Sequence, residues 1–191
     1  MYSKRFPVLY SLGLDFEEVR LSPYCHLWPV IFQAEKRRIE KGLSGHSGAA
    51  SSISHVGSTS IPGCSAKPIM DMIACYYRDE DRDAIVTGLM VLDYLYLGEC
   101  GRQGRDFFVF NRGRKTFFHL HLVPADHPLY WDLLHFRRRL ITSSDERNSY
   151  IRFKNELAER FPNNRTRYRM NKERFFERAS APLWGRRGKN I

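Results

Sequence analysis

The chain has 191 residues, of which 42% are hydrophobic and 14% are aromatic. This length and composition predict a single globular domain with a substantial core and exclude a disordered protein. The net charge of +10 indicates attraction to a polyanion such as RNA or to a phosphorylated small molecule. No apolar run reaches the length of a membrane span, and the first residues lack a signal peptide, so we expect a cytoplasmic protein with no membrane partner.

The first part of the chain predicts an arm, a strand and a helix. Residues 1–15 carry little pattern, and we expect an N-terminal arm before a main domain over residues 16–180 and a basic tail over residues 181–191. Weak alternation over Phe16–Leu21 predicts an edge strand. Apolar residues at helical spacing predict a helix from Tyr24 to about Leu43, followed by a Gly- and Ser-rich loop up to Ser54.

Residues 55–73 form the most informative stretch of the sequence. A short apolar strand ends at Val56, and the turn that follows offers a glycine and three hydroxyl groups beside backbone N–H groups, which suits a phosphate; its residues are Gly57, Ser58, Thr59 and Ser60. The next strand, Ile69–Cys75, is apolar enough to be central and buried on both faces. Its only charge, Asp71, needs a metal ion, a cation or several donors to offset its burial.

A second pattern lies in the predicted hairpin of Arg105–Phe110 and Thr116–Val123. Alternation along the second strand puts His119 and His121 on one face and the apolar residues on the other. Two histidines that point the same way suit a ligand pair or a proton-transfer pair better than a lone histidine does.

The last third of the chain predicts three helices, over Leu129–Leu140, from Ser144 to about Phe161, and over Arg165–Ala179. Two Tyr-x-x-x-Lys pairs each share a helix face, Tyr150 with Lys154 and Tyr168 with Lys172. We expect the basic residues of the last helix to form solvated helix faces, with Lys172 extending into water.

Taken together, these motifs resemble the GrpB family of the nucleotidyltransferase superfamily. The resemblance is carried by His-Val-Gly-Ser-Thr-Ser-Ile-Pro-Gly from His55, by Ala-Lys-Pro-Ile from Ala66 with Asp71, and by the His-x-His strand. It implies an α/β (α+β) fold, in which a small mixed sheet of nucleotidyltransferase type has flanking helices and a C-terminal helical cluster. It also implies that the His-x-His strand lies beside the strand that bears the acid.

The same resemblance implies a transferase of a nucleotidyl or related group that uses a phosphate-containing substrate. The residues expected to act in catalysis are Lys67, Asp71, His119 and His121. Asp71 and the two histidines are expected to bind a divalent ion, Mg²⁺ or Mn²⁺ with Zn²⁺ as an alternative. The turn residues 57–60 are expected to hold phosphate, together with residues that match family positions: Arg105, Arg137, Tyr150 and Lys154.

One position departs from the superfamily pattern, which has a second carboxylate two residues after the first. Ile73 stands there, so we expect a single metal ion, with a second ion through Asp106 as the alternative. Two other functions stay open. One is an aminoacyl-tRNA-dependent cyclodipeptide synthase of the GrpB-like type, with tRNA as partner, and the other is a non-catalytic module that binds nucleotide or RNA.

Overall fold

The structure is a computed structural model that describes residues 11–44 and 52–184, with side chains up to residue 176. Its strands are β1 (Leu14–Asp15), β2 (Ser52–Val56), β3 (Met70–Tyr76), β4 (Leu95–Tyr96), β5 (Asp106–Arg112) and β6 (Lys115–Pro124). Its α-helices are α1 (Trp28–Leu43), α2 (Arg82–Val91), α3 (Pro128–Thr142), α4 (Ser144–Arg160) and α5 (Arg165–Trp184). Short 3₁₀ turns cover Ser58–Ser60 and Asp79–Asp81.

The strands form one mixed sheet in the order β2-β3-β6-β5-β4, with β1 paired to the start of β6. β3 and β6 are parallel neighbours, and the other pairs are antiparallel. The register of the parallel pair sets Asp71 directly beside His119 and Ile73 beside His121. The expected α/β fold is confirmed, as is the position of the His-x-His strand beside the strand that bears the acid.

Two apolar layers cover the sheet. The larger packs α1 and α2 onto one face and includes Trp28, Phe118 and Leu120. The smaller packs α3 onto the other face and includes Ile73 and Val123. Because successive residues of a strand face opposite sides, the burial of Phe118, Leu120 and Leu122 in the larger layer turns His119 and His121 to the other side.

Several predicted boundaries differ from the structure. No strand forms over Phe16–Leu21: the sheet strand is β1, inside the predicted arm, and the N–H of Val19 instead bonds the carbonyl of Pro162. α1 begins at Trp28, with a proline in its first turn, where a missing N–H costs nothing. The N-cap of α4 is Ser143, whose side chain accepts a hydrogen bond from the N–H of Glu146.

The ends of the chain are described only in part. α5 continues to Trp184, beyond the boundary expected at residue 180. Residues 1–10 of the arm, 45–51 of the predicted loop and 185–191 of the tail lie outside the described residues. Among the helices of residues 11–44 and 52–184, none is long and apolar enough to cross a membrane.

Candidate functional site

A cavity of about 490 Å³ opens between the sheet face that carries the two histidines and the C-terminal helices. Seven Lys or Arg side chains and three carboxylates line it. The basic residues are Lys67, Arg102, Arg105, Lys154, Arg165, Arg169 and Lys172, and the acidic ones are Glu17, Asp71 and Glu173. The sheet, the 58–60 turn, α3, α4 and α5 all contribute, so the site exists only in the folded chain.

Asp71 and His119 form a hydrogen-bonded pair on the sheet side of the cavity. The Nδ1–H of His119 donates to Oδ1 of Asp71 at 2.8 Å. Burial acts to raise the pKa of Asp71, but this hydrogen bond and the charge of Lys172 hold it well below its usual range. Burial lowers the pKa of His119 in spite of the carboxylate. At neutral pH the pair therefore consists of a carboxylate and a neutral imidazole.

His121 follows on the same face and contacts Arg105. A guanidinium N–H, Nη1 of Arg105, donates to Nδ1 of His121 at 3.3 Å. The guanidinium is held by the carbonyls of Glu99 and Cys100, each 2.9 Å from Nη2, and it lies over the ring of Phe107. Burial, with the charge of Arg105, lowers the pKa of His121 to about 3, so its ring is neutral.

Lys67 enters the cavity from the segment before β3. Its ammonium lies 5.0 Å from the centre of the Tyr168 ring. Burial, followed by the charges of Lys172 and Arg165, lowers the pKa of Lys67 to about 7. Lys67, Asp71, His119 and His121, the four residues expected to act in catalysis, thus all line this one cavity.

Helix α5 contributes a row of cations whose sequence pattern predicts solvated helix faces. Arg165, Arg169 and Lys172 line the cavity together with Tyr168 and Phe176. The signal was present in the sequence, because positions three or four apart share one helix face. Without a tertiary partner for that face, the same spacing is equally typical of a solvated helix.

Two of the three hydroxyl groups of the 58–60 turn already have hydrogen-bond partners. Gly57 has a φ of +69°, and a Cβ there would overlap Oδ2 of Asp71, so its lack of a side chain makes room for the carboxylate. The hydroxyl of Thr59 is bonded to Nε2 of His55 at 2.9 Å, and that of Ser60 donates to the carbonyl of Gly57. Ser58 keeps its hydroxyl at the cavity, 3.2 Å from that of Tyr150.

The family positions on α3 and α4 divide into three roles. Tyr150 lines the cavity and contacts Ser58. Lys154 also lines it but is only 1% exposed, and its Nζ donates to Sγ of Cys64 and to the carbonyl of Ser65, so it fixes the loop before Lys67.

Arg137 is not part of the cavity lining. It follows Phe136 by one residue, about 100° further round α3. Burial, followed by the charge of Arg137, lowers the pKa of His55 to about 3.

Two positions bear on a second metal ion, Ile73 and Asp106, and neither offers a free carboxylate to the cavity. Ile73 is fully buried in the smaller apolar layer, where an ionised carboxylate would be costly. Asp106 accepts hydrogen bonds from Arg82 at 2.6 and 2.7 Å and from the hydroxyl of Tyr96 at 2.5 Å, and it does not line the cavity.

The donor set does not fit a metal ion. Over the described residues, no group of three or more His, Cys, Asp and Glu side chains stands close enough to hold one. Nδ1 of His119 is bonded to Asp71 and Nδ1 of His121 to Arg105. The cations around the pair also repel a divalent ion and attract an anion.

A comparison with protein families identifies the group to which this arrangement belongs. The family described as GrpB protein matches residues 18–181. The chain belongs to the GrpB family. The matched range contains every residue that lines the cavity except Phe16 and Glu17.

Individual GrpB relatives agree with this assignment. A UPF0157 protein of Pseudomonas aeruginosa is 32% identical over 167 residues, which are 83% of this chain and 65% of that protein. UPF0157 protein YqkA of Bacillus subtilis is 30% identical over 175 residues, 91% of this chain and 50% of that protein. The chain thus spans between half and two thirds of the length of these two relatives.

The crystal structure of conserved protein GrpB from Enterococcus faecalis has the same fold. The two superpose with a TM-score of 0.73 at 24% sequence identity, over 86% of this chain and 99% of that one. At this level of identity the likeness concerns the fold.

Proposed function

We propose that the cavity binds a nucleotide or another phosphorylated small molecule, and that the Asp71–His119 pair assists transfer of a nucleotidyl or related group from it. The observation that carries the proposal is that seven Lys and Arg side chains line the same cavity as one carboxylate–imidazole pair. The resemblance of the Gly-Ser turn and the following acid to nucleotidyltransferase motifs supports it.

Charge favours an anionic ligand. Like charges packed around one cavity raise the free energy of the empty site, and a phosphate group relieves this repulsion while accepting charge-assisted hydrogen bonds. Arg169 and Lys172 form no ion pair with a carboxylate among the described residues, so both are available to a ligand.

Size and wall chemistry favour a small molecule that also has an apolar part. Ligand cavities in proteins commonly range from about 300 to 1,000 Å³ and combine apolar walls with a few polar anchors. Here Phe107, Leu133, Phe136 and Phe176 supply apolar walls beside the cations. A nucleotide combines the two kinds of surface that such a cavity offers.

The pair on the sheet suits base catalysis. With its Nδ1–H held by Asp71, the neutral His119 ring carries its free lone pair on Nε2. Nε2 takes the proton of an acceptor hydroxyl as that oxygen forms a bond to phosphorus. The bond to the leaving group breaks with its electron pair, and the leaving group takes the proton back from His119, while the surrounding cations stabilise the charge that develops.

Calorimetric titration in the presence of a chelator tests the binding step. ATP, AMP, inorganic pyrophosphate and adenosine are compared with the same protein sample. We expect ATP and pyrophosphate to bind and adenosine to bind far more weakly, because the cations recognise phosphate. Equal binding of adenosine and ATP, or no binding of any phosphate, would contradict the proposal.

Phosphorus NMR of ATP incubated with the protein and small alcohols or amines tests the chemical step. New phosphoester or phosphoramidate signals support transfer. Binding without turnover would favour the non-catalytic nucleotide-binding module. If tRNA stays bound to the purified protein through a high-salt wash and competes with ATP, the result would favour the aminoacyl-tRNA-dependent cyclodipeptide synthase.

A further inference from the structure

The two histidines of β6 have opposite partners. They lie two positions apart on one strand, they both line the cavity, and the ring of Phe107 lies about equally far from each, 5.3 Å from His119 and 5.1 Å from His121. Nδ1 of His119 contacts a carboxylate, whereas Nδ1 of His121 contacts a guanidinium. This difference fixes where each ring keeps its proton.

An ionised carboxylate can only accept a hydrogen bond. The 2.8 Å contact with Asp71 therefore places the proton of neutral His119 on Nδ1 and leaves Nε2 as a bare acceptor. Gly57 leaves space for this carboxylate, since a Cβ there would overlap Oδ2 of Asp71.

A guanidinium can only donate, because it keeps its charge at any ordinary pH. The contact of Arg105 Nη1 with His121 Nδ1 therefore makes that nitrogen an acceptor and places the proton of the neutral ring on Nε2. Arg105 is 6% exposed and is bonded to two backbone carbonyls, so it cannot swing away cheaply. The lowered pKa of His121 agrees with a neutral ring.

We propose that His119 and His121 are held in opposite tautomers, so that β6 presents one proton acceptor and one hydrogen-bond donor to the same substrate. Neither Nε2 atom has a hydrogen-bond partner among the described residues, so both are available. The catalytic roles of the two rings rest on the proposed function, whereas the two tautomers follow from the hydrogen bonds alone.

The two rings then have separate tasks. Nε2 of His119 takes the proton of the acceptor hydroxyl, as described above. The Nε2–H of His121 donates a hydrogen bond to a non-bridging oxygen of the phosphoryl group under attack and keeps its own proton throughout. A neutral imidazole donor of this kind stabilises developing negative charge without first having to be protonated. The substrate class is a phosphoester or phosphoanhydride with an acceptor hydroxyl.

Nitrogen-15 NMR of protein labelled at histidine tests the tautomers directly. His119→Gln and His121→Gln assign the two rings, since each variant lacks one set of signals. In the native protein we expect His119 to show a protonated Nδ1 and a bare Nε2, and His121 to show the reverse. The same tautomer in both rings, or averaged signals from either ring, would overturn the inference.

Arg105→Met tests the cause, with Arg102→Met as a matched control from the same loop. Arg102 also lines the cavity but has no hydrogen bond to His121. We expect Arg105→Met to move His121 toward a mixture of tautomers and Arg102→Met to leave it unchanged. An unchanged His121 in folded Arg105→Met overturns the role of Arg105, and the native spectrum remains decisive if that variant does not fold.

Inorganic pyrophosphate is the ligand probe. We expect the Nε2 proton of His121 to shift downfield on saturation, because it then donates to a phosphate oxygen. A saturated complex that leaves this proton unshifted overturns the donor role. Failure of pyrophosphate to bind refutes the proposed function instead, while the tautomers of the free protein still decide this inference.

Discussion

The two sides of the cavity are organised differently. On the sheet side, Asp71 is hydrogen-bonded to His119 and Arg105 to His121, so these two charges already have partners. On the α5 side, Arg169 and Lys172 face the cavity with no carboxylate partner among the described residues. Under the proposed function, the sheet supplies a preorganised reacting pair, whereas the helix supplies charge that becomes satisfied when an anion binds.

The sharpest test of this contrast is His119→Gln, which should separate chemistry from binding. Loss of a general base typically costs about 10²- to 10⁴-fold in rate. We therefore expect the transfer rate to fall by about that factor while the Kd for pyrophosphate stays near the native value, since α5 is intact. Rates come from phosphorus NMR and Kd from calorimetry.

The matched control is His135→Ala, because His135 is exposed on α3 and does not line the cavity. It should change neither quantity. If His119→Gln instead weakens binding as much as turnover, it is wrong to assign the transfer chemistry to the sheet and anion binding to α5.

Gly57→Ala should be the most destabilising change on the sheet side. The φ of +69° and ψ of −174° lie in a region that is essentially restricted to glycine, and the added Cβ would also lie 2.9 Å from Cβ of Asp71. We expect a loss of about 3 kcal/mol in the free energy of unfolding, measured by urea titration.

Gly63→Ala is the control for backbone strain alone. Gly63 also has a positive φ, +76°, but nothing lies within 4 Å of its added Cβ. A loss of about 1 to 2 kcal/mol is expected from the left-handed backbone. Equal losses at both glycines would mean that contact with Asp71 contributes nothing.

Unlike Gly57→Ala, Lys172→Gln should weaken ligand binding without lowering the stability of the fold. Removing one charge-assisted hydrogen bond of about 1.5 kcal/mol should weaken pyrophosphate binding by about tenfold. The free energy of unfolding should stay the same or rise, because repulsion among neighbouring cations falls. Arg167→Gln, on the same helix but outside the cavity lining, should leave Kd unchanged. A similar loss in both variants would indicate only a general effect of net charge.

The smallest expected effect is a pH dependence of stability that arises from Lys67. Its pKa is lowered to about 7 in the folded protein, so between pH 7 and 8.5 the unfolded chain binds more protons at this residue. The free energy of unfolding should accordingly rise with pH across this window. Lys67→Met should reduce that slope in urea titrations at several pH values. An unchanged slope would mean that neither burial nor the neighbouring cations disfavour the Lys67 ammonium.

The sequence predicts the sheet side of the site better than the helix side. Alternation in β6 places His119 and His121 on one face, because strand periodicity leaves little choice of face. The family resemblance, and not the periodicity, implies that the strand of Asp71 lies beside them. The roles of Arg165, Arg169 and Lys172 depend on where α5 packs, which depends on distant contacts such as that of Tyr168 with Leu157. Arg137, which the resemblance assigns to phosphate binding, does not line the cavity, since its side chain also depends on how its helix packs.

The turn at residues 57–60 shows a further limit of sequence reasoning. Hydroxyl groups beside a glycine suit a phosphate, but they also suit a turn that satisfies itself. The hydroxyl of Thr59 is hydrogen-bonded to His55 and that of Ser60 to the carbonyl of Gly57, so both are satisfied locally. Only the group that faces each hydroxyl in the folded chain decides between the two.

The register of β3 against β6 has a consequence for how this site can tolerate insertions. The carboxylate and its imidazole come from strands 48 positions apart in the chain and meet only because Asp71 pairs with His119. One extra residue within either strand, ahead of the pair, would turn the following side chains to the opposite face and bury a charged group among apolar ones. Length changes are therefore compatible with the site in the connections between these strands, but not within the strands themselves.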